Sequence, residues 1–204
     1  MAGSRACALM VIASVFCGGL VAAEEQASEE QASAAQMMDD LMYSRGTVGG
    51  PFTLTDPTGK PRSDSEFRGR LMIVYFGYTY CPDVCPADLM AITQALDTLG
   101  PAAEGVQPIF ITVDPERDTN VLGEYIAAFH HSFVGLTGSP EEIRKVANSY
   151  KAFYAKVPDQ RSGYSIDHTG VIYLMGRNGE YLGFLPPQTN PERLTEILRT
   201  YLAR

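Results

Sequence analysis

The chain has 204 residues, of which 45% are hydrophobic and 20% are charged, and its formal net charge is −8 at pH 7. This is typical of one globular domain with additional chain, long enough to form a hydrophobic core without disulfide support. The acidic balance excludes general charge attraction to nucleic acid phosphates or to anionic lipid headgroups, so no nucleic acid partner is expected. Four cysteines are too few for a disulfide-based scaffold.

Residues 1–23 are typical of a secretory signal peptide. Arg5 precedes an apolar run, which is followed by two glycines and by small residues that end at Ala23. An uncleaved N-terminal anchor is the alternative, because residues 6–23 are 18 apolar or small residues, near the lower limit for a membrane span. Both routes predict an extracytoplasmic domain in the bacterial periplasm, with membrane contact only through this segment if it is uncleaved.

Residues 24–45 are predicted to form an acidic flexible tether. The sequence Glu-Glu-Gln-Ala-Ser occurs twice, over residues 24–33, and residues 24–36 contain no aromatic or β-branched side chain that could be buried. Met37, Met38 and Met42 follow. They could serve as soft copper ligands, but packing along one side of a short helical turn is the favoured interpretation.

The first half of the domain, assigned to residues 46–204, is predicted to contain two buried strands separated by a helix. Apolar and polar residues alternate over residues 52–55, and the turn sequence Asp-Pro-Thr-Gly follows, which indicates an initial hairpin. Residues 71–76 and 109–113 are almost continuously apolar, as in strands that are buried on both faces. Between these strands, leucine and isoleucine recur at helical spacing up to a Gly-Pro stop at residues 100–101.

The second half is predicted to alternate helices with strands and to end in a helix. Ser139 and Glu142 form an N-terminal capping pattern, and Asn178-Gly179 between apolar segments indicates a hairpin. The predicted elements are a helix over residues 119–129, a strand over 133–136, a helix over 140–150, strands over 171–175 and 181–185, and a helix around 194–201. This order predicts a single α/β domain, a thioredoxin-like three-layer α/β/α sandwich with an added N-terminal β-hairpin.

Two cysteines lie in the loop after the first buried strand. The sequence YCPDVCP, residues 80–86, places Cys81 and Cys85 four residues apart immediately before a helix. On a helical turn this spacing puts both side chains on one face, with about 5–6 Å between Cβ atoms. The two sulfurs can bind one metal ion or form a disulfide after a small backbone adjustment. The helix N-terminus favours thiolates, whereas Asp83 and Asp88 disfavour them, so the sequence predicts no particular thiol acidity.

One of the three histidines is a candidate third ligand. His168 lies in the sequence YSIDHTG, residues 164–170, after a loop and at the mouth of a predicted strand. Its spacing is equally consistent with a metal ligand and with an ordinary surface side chain. His130 and His131 end a predicted helix, and both are interpreted as solvated helix-end residues.

Two thiolates and one imidazole would favour a soft or borderline metal ion. Copper(I) and zinc both bind sulfur. A closed structural zinc site takes four ligands, and only three are evident. Copper(I) accepts low coordination and exchanges its ligands readily, which suits a carrier. A structural disulfide and a zinc site are the alternatives for the cysteine pair.

Five sequence blocks, in order, resemble the Sco (SenC) family, whose members assist maturation of the binuclear copper centre of cytochrome c oxidase. The resemblance covers about residues 46–204. The blocks are GGPFTL at residues 49–54, YFGYTYCPDVCP at 75–86, ITVDPERDT at 111–119, GLTG at 135–138, and DH at 167–168 with YLM at 173–175.

The resemblance implies a thioredoxin-like fold that binds one copper ion, as Cu(I) or Cu(II), through Cys81, Cys85 and His168. It further implies a metallochaperone that delivers copper to cytochrome c oxidase subunit II by ligand exchange. A periplasmic copper donor and a thiol reductant would be its other partners. Many members keep a membrane anchor, whereas residues 1–23 of this chain look cleavable.

Other functions could use the same cysteines. A thiol–disulfide oxidoreductase could act through Cys81 and Cys85 as catalytic residues to reduce the cysteines of the oxidase copper site. Peroxide reduction and redox sensing are further alternatives. Thioredoxin-type reductases usually separate their cysteines by two residues and place a proline opposite, whereas three residues separate these and residues 165–169 contain no proline. Residues 114–118 should line the same edge, and the alternative interpretation is a helix-starting turn with Pro115 and an Asp118 cap.

Overall fold

The computed structural model describes residues 47–204. The signal peptide or anchor predicted at 1–23, the tether predicted at 24–45 and its three methionines lie outside the described residues. No helix within residues 47–204 has both the length and the apolar character needed to cross a membrane.

A five-stranded mixed sheet forms the centre of the domain, in the order β5-β4-β3-β8-β9. Strands β3, β4 and β5 run parallel, and β8 and β9 are antiparallel to their neighbours. Two further pairs, β1 with β2 and β6 with β7, form separate antiparallel hairpins. The strands are β1 (Thr53–Thr55), β2 (Pro61–Ser63), β3 (Leu71–Gly77), β4 (Val106–Thr112), β5 (Val134–Leu136), β6 (Tyr154–Asp159), β7 (Gly163–His168), β8 (Ile172–Met175) and β9 (Tyr181–Leu185).

Helices cover the sheet and give the three-layer α/β arrangement that the element order predicts. The first and the last helix pack against each other. The helices are α1 (Val84–Leu99), α2 (Pro115–Asp118), α3 (Leu122–Ala127), α4 (Pro140–Tyr150) and α5 (Pro191–Leu202), with 3-10 turns at Asp64–Phe67 and Gly100–Gly105. Strands β3 and β4 are buried at every position, as expected for central strands with helices on both faces.

Two predicted features agree closely with the structure because their signals are local. Helix α4 occupies residues 140–150, and the Ser139 hydroxyl and the Glu142 carboxylate each accept a hydrogen bond from the other residue's backbone N–H. The Asn178-Gly179 sequence lies in the turn of the β8–β9 hairpin, which Gly176 N–H closes by donating to the Glu180 carbonyl at 2.7 Å.

The helix predicted over residues 119–129 is wrong in its bounds. The structure has two short helices instead, α2 from Pro115 and α3 from Leu122. The Asp118 side chain points inward and accepts hydrogen bonds from Thr79 and Thr112, so it does not cap a following helix. The expected Asp118 cap is therefore also wrong, because tertiary partners compete with local capping.

The β6–β7 hairpin is a further difference from the sequence prediction, which places a loop before His168. The hairpin pairs Tyr154 with His168 at its base and Asp159 with Gly163 at its tip. Most of its side chains are half-buried or exposed, so the residues show no hydrophobic run or strict alternation. His168 is consequently the last residue of a strand.

Candidate metal centre

The two cysteines lie at the carboxyl end of β3, where the chain enters α1. Cys81 is in the connecting loop and Cys85 is in the first turn of the helix, and both are buried free thiols. The backbone N–H of Cys85 donates to the Cys81 sulfur at 3.4 Å. A helix-end amide thus favours negative charge on Cys81, which the sequence alone leaves open because Asp83 and Asp88 act in the opposite sense.

Gly77 provides the space that the Cys85 sulfur occupies. A Cβ atom at residue 77 would lie 3.0 Å from Cys85 Sγ, 2.9 Å from the Tyr75 ring and 3.0 Å from the Phe110 ring. All three side chains are fully buried and have little room to move. The absence of a side chain at residue 77 therefore sets the depth of the Cys85 sulfur.

His168 lies next to the two sulfurs, although it is 83 positions from Cys85 in the sequence. Its Nε2 atom lies 3.2 Å from Cys85 Sγ. The candidate ligand atoms of Cys81, Cys85 and His168 all lie within 4.8 Å of one another. The structure therefore brings together all three residues that the sequence analysis selects, in an arrangement that could hold one metal ion.

The orientation of the His168 ring is defined by its neighbours. Gly170 N–H donates to His168 Nδ1 at 3.2 Å, which assigns the proton of a neutral ring to Nε2, facing the sulfurs. The rings of Tyr75 and Tyr78 contact the imidazole edge-on, with centroids 6.2 and 6.0 Å away. A backbone N–H therefore fixes the tautomer in the metal-free state. Ligation through Nε2 would move that proton to Nδ1 and break the Gly170 bond.

The two thiols have different acidities because one hydrogen-bonds to the other. The hydrogen bond from Cys85, helped by His168 and by the backbone amides of Cys85 and Asp83, lowers the pKa of Cys81 to about 4, although burial opposes this shift. The same hydrogen bond and burial raise the pKa of Cys85. Without metal, Cys81 is therefore a thiolate at neutral pH, and Cys85 keeps its proton.

A buried carboxylate lies beneath the cysteines, within α1. Asp88 is fully buried and accepts hydrogen bonds from Tyr75 Oη at 3.0 Å and from Gln188 N–H at 2.6 Å. Burial raises the pKa of Asp88. On the sequence alone, Asp88 enters only as a negative charge near the thiols. The helical spacing of the sequence places Asp88 on the same face as Cys85, Leu89 and Ile92. This pattern indicates that Asp88 is buried.

Residues 114–118 lie at the same edge of the sheet, as predicted. The Asp118 carboxylate accepts hydrogen bonds from Thr79 N–H at 2.9 Å, from the Thr79 hydroxyl at 2.7 Å and from the Thr112 hydroxyl at 2.6 Å. Pro115 begins α2, as the helix-start interpretation expects. Asp118 thereby connects the end of β4 to the loop that carries the cysteines.

His130 and His131 do not belong to the ligand cluster that the structure shows among residues 47–204. Their rings contact each other at an interplanar angle of 36°, with centroids 4.2 Å apart. His131 is exposed, as predicted, but only 11% of the His130 side chain is exposed, so its solvated interpretation is wrong. His130 Nδ1 lies 2.7 Å from Ser132 Oγ, and Nε2 faces Asp97 at 3.7 Å. Local hydrogen bonding therefore draws this ring inward.

Sequence comparison extends the resemblance to most of the chain. The SCO1/SenC family model matches residues 42–203. The SCO2-like protein of Rickettsia felis is 39% identical over 155 residues, which cover 74% of this chain and 76% of that protein. The mitochondrial SCO1 homolog of Homo sapiens is 33% identical over 189 residues, which cover 91% of this chain and 63% of that protein.

Solved structures of relatives share the fold. The copper-bound structure of Bradyrhizobium japonicum ScoI is 43% identical, with a TM-score of 0.67, and the match covers 76% of this chain and 99% of that one. Copper-bound Arabidopsis thaliana ScoI is 39% identical, with a TM-score of 0.71, and the match covers 74% of this chain and 96% of that one. These similarities confirm the predicted thioredoxin-like fold. The family match and the identities together show that this chain belongs to the SCO1/SenC family.

Proposed function

We propose that the protein binds one copper ion, as Cu(I) or Cu(II), through Cys81 Sγ, Cys85 Sγ and His168 Nε2. The observation that carries this proposal is the convergence of these three atoms within 4.8 Å, from two segments far apart in the sequence. Two sulfurs and one imidazole are ligands that copper prefers. The copper-bound states of the Bradyrhizobium and Arabidopsis ScoI proteins support the same choice. A closed zinc site fits less well, because it needs a fourth ligand.

We further propose that the protein is a metallochaperone that delivers its copper to the binuclear site of cytochrome c oxidase subunit II by ligand exchange. A three-ligand site at the rim of the sheet supports transfer, because an incoming thiolate or imidazole can bind copper before the outgoing ligand leaves. The resemblance of the chain to the Sco (SenC) family supports this target. The protein would act in the periplasm, carried there by residues 1–23 as a signal peptide or an anchor.

Two further partners follow from the chemistry of the site. Copper binding needs both cysteines reduced, and an oxidising compartment favours their disulfide, so a thiol reductant is required. The copper must also come from a periplasmic donor.

Metal analysis of the purified protein tests the copper site. We expect about one copper per chain, and loss of copper after alkylation of the reduced cysteines. His168→Ala should weaken copper binding sharply while still permitting the Cys81–Cys85 disulfide, because the sulfurs stay in place. Unchanged copper affinity in this variant would remove His168 from the site.

Thiol–disulfide exchange is the second candidate function, favoured by the lowered pKa of Cys81. The Cys81 thiolate would attack a disulfide of the target, and Cys85 would then displace the second target thiol, leaving a disulfide in this chain. A thiol reductant would have to restore the dithiol.

Oxidase assembly in cells that carry single variants separates the two functions. Copper delivery requires Cys81, Cys85 and His168, so Cys81→Ser and His168→Ala should both abolish assembly. If His168→Ala leaves assembly intact while the cysteine variants abolish it, disulfide reduction is the function.

A further inference from the structure

Arg117, in the short helix α2, contacts both segments that carry the candidate ligands. Its Nε–H donates to the Asp114 carboxylate, and its Nη1–H donates to the Tyr164 carbonyl at 3.1 Å. The guanidinium carbon lies 3.7 Å from the centroid of the Tyr164 ring and 5.1 Å from that of Tyr80. Tyr164 belongs to β7, which ends at His168, and Tyr80 precedes Cys81.

Besides the buried Ile166 side chain, polar contacts attach the β6–β7 hairpin to the rest of the domain. Its strands pair only with each other among residues 47–204, so no ladder joins the hairpin to the central sheet. Tyr164 Oη donates to Asp114 at 2.9 Å, and Ile166 N–H donates to Tyr78 Oη at 3.3 Å. The exposed Lys156–Glu116 ion pair adds little, because solvent screens both side chains. Arg117 and its partner Asp114 are therefore the main polar attachment of this hairpin.

We infer, on the basis of the proposed copper site, that Arg117 is a positioning residue that keeps His168 at the two sulfurs and thereby sets the preference of the site between Cu(II) and Cu(I). Cu(I) accepts low coordination and so tolerates a displaced imidazole more readily. Cu(II) prefers tetragonal sites that include nitrogen or oxygen ligands, so it depends more on the imidazole. Loosening the hairpin should therefore weaken Cu(II) binding more than Cu(I) binding.

A purely electrostatic effect of Arg117 would change the reduction potential in the opposite direction. Removing a positive charge near the site stabilises the more positive metal ion, which would strengthen Cu(II) binding relative to Cu(I) and lower the reduction potential. Loss of positioning weakens Cu(II) binding and raises the potential. The direction of the change therefore separates positioning through His168 from a direct effect of charge.

The test compares Arg117→Gln with the wild-type protein and with Arg193→Gln, which removes an exposed arginine of α5. In Arg117→Gln we expect Cu(I) affinity to stay unchanged, Cu(II) affinity to fall about tenfold, and the one-electron potential therefore to rise by about 59 mV. Nitrogen hyperfine coupling in the Cu(II) electron paramagnetic resonance spectrum should weaken as the imidazole disengages. Arg193→Gln should match the wild type. An unchanged or lowered potential in Arg117→Gln overturns the inference.

A double variant tests whether Arg117 acts through His168. If it does, Arg117→Gln should cause no further rise of the potential in a His168→Ala background, because the positioned ligand is already gone. An equal rise in both backgrounds would contradict the inference. Arg117→Lys keeps the charge but lacks the planar fork that spans Asp114 and Tyr164, so it should also raise the potential. A wild-type potential in Arg117→Lys would contradict the role of the planar fork in holding the hairpin.

Hydrogen exchange of the metal-free protein provides a measurement that does not need copper. Arg117→Gln should increase exchange at the Ile166 amide and its neighbours in the hairpin, while β3 and β4 stay protected. Unchanged exchange in the hairpin would show that Arg117 does not hold it. If the wild-type protein bound no copper, the proposed function would fail, and this experiment would still decide whether Arg117 positions the hairpin.

Discussion

Gly77→Ala should damage both the stability of the domain and the geometry of the thiol pair. The added Cβ would lie 3.0 Å from Cys85 Sγ and about as close to the rings of Tyr75 and Phe110. Ordinary contacts begin at 3.4 Å, so relief of the sulfur contact requires a shift of about 0.4 Å, close to the ~0.5 Å tolerance of a binding site. The backbone at residue 77 has no positive φ, so steric overlap alone causes the effect.

Gly77→Ala overpacks a filled core, which should lower the free energy of unfolding by about 1–3 kcal/mol. For a domain of this size each kcal/mol lowers the melting temperature by about 2–4 °C, so Gly77→Ala should melt roughly 2–12 °C below the wild type. Differential scanning calorimetry of the metal-free protein measures this change. Copper titration of the same samples should show weaker binding, because the Cys85 sulfur is displaced from His168.

Gly105→Ala is the matched control. A Cβ at residue 105 would contact only the end of the Leu202 side chain, at 2.7 Å, and Leu202 lies near the C-terminus where it can move aside. Its melting temperature and copper affinity should stay close to the wild-type values. Equal melting temperatures and equal copper affinities for Gly77→Ala and Gly105→Ala would refute the conclusion that Gly77 sets the position of Cys85.

Three further predictions concern the thiols, the loop support and a helix cap. Because its pKa is lowered to about 4, Cys81 stays ionised above about pH 5, so its alkylation rate in the metal-free protein should be nearly constant from about pH 6 to 8, unlike the roughly tenfold rise per pH unit of an ordinary thiol. Cys85→Ala removes the hydrogen bond that lowers this pKa most, so the pKa of Cys81 should rise and its alkylation rate should depend more steeply on pH. Asp118→Asn replaces an acceptor of three hydrogen bonds by an amide with only one acceptor atom, so the free energy of unfolding in urea should fall by about 1–3 kcal/mol. An unchanged unfolding midpoint would contradict the role of Asp118 in supporting the cysteine loop. Ser139→Ala should lower the free energy of unfolding by about 1 kcal/mol in the same assay, because it leaves the Glu142 amide without its cap. An unchanged free energy of unfolding would mean that the cap contributes nothing to stability.

The parts of the structure that agree with the sequence prediction are those with strong local signals. Strand β3 coincides with the continuous apolar run after residue 70, and α4 begins where its capping residues indicate. The predicted helix over residues 119–129 fails because the Asp118 side chain bonds to Thr79 and Thr112 instead of following its local preference. The β6–β7 hairpin is missed because half-exposed strands carry little hydrophobic periodicity.

Among the candidate ligands, too, local spacing is readable from the sequence and long-range placement is not. The spacing of Cys81 and Cys85 before a helix indicates a shared site, because four residues span one helical turn. The role of His168 was open on spacing alone and was supported only by the family resemblance. Its side chain reaches Cys85 because the β6–β7 hairpin is attached at Asp114, Arg117 and Tyr78, and contacts of this kind leave no periodic pattern in the sequence.

The sequence by itself determined the order of the main strands and helices, the thioredoxin-like fold and the pairing of Cys81 with Cys85, because hydrophobic periodicity, capping and short spacing act between near neighbours. Only the tertiary structure decided that the His168 side chain comes within reach of the sulfurs, that Gly77 makes room for one of them, and that the two thiols differ in acidity. These features depend on distances between segments that are far apart in the chain. Such distances result from the packing of the whole domain, which no local pattern encodes.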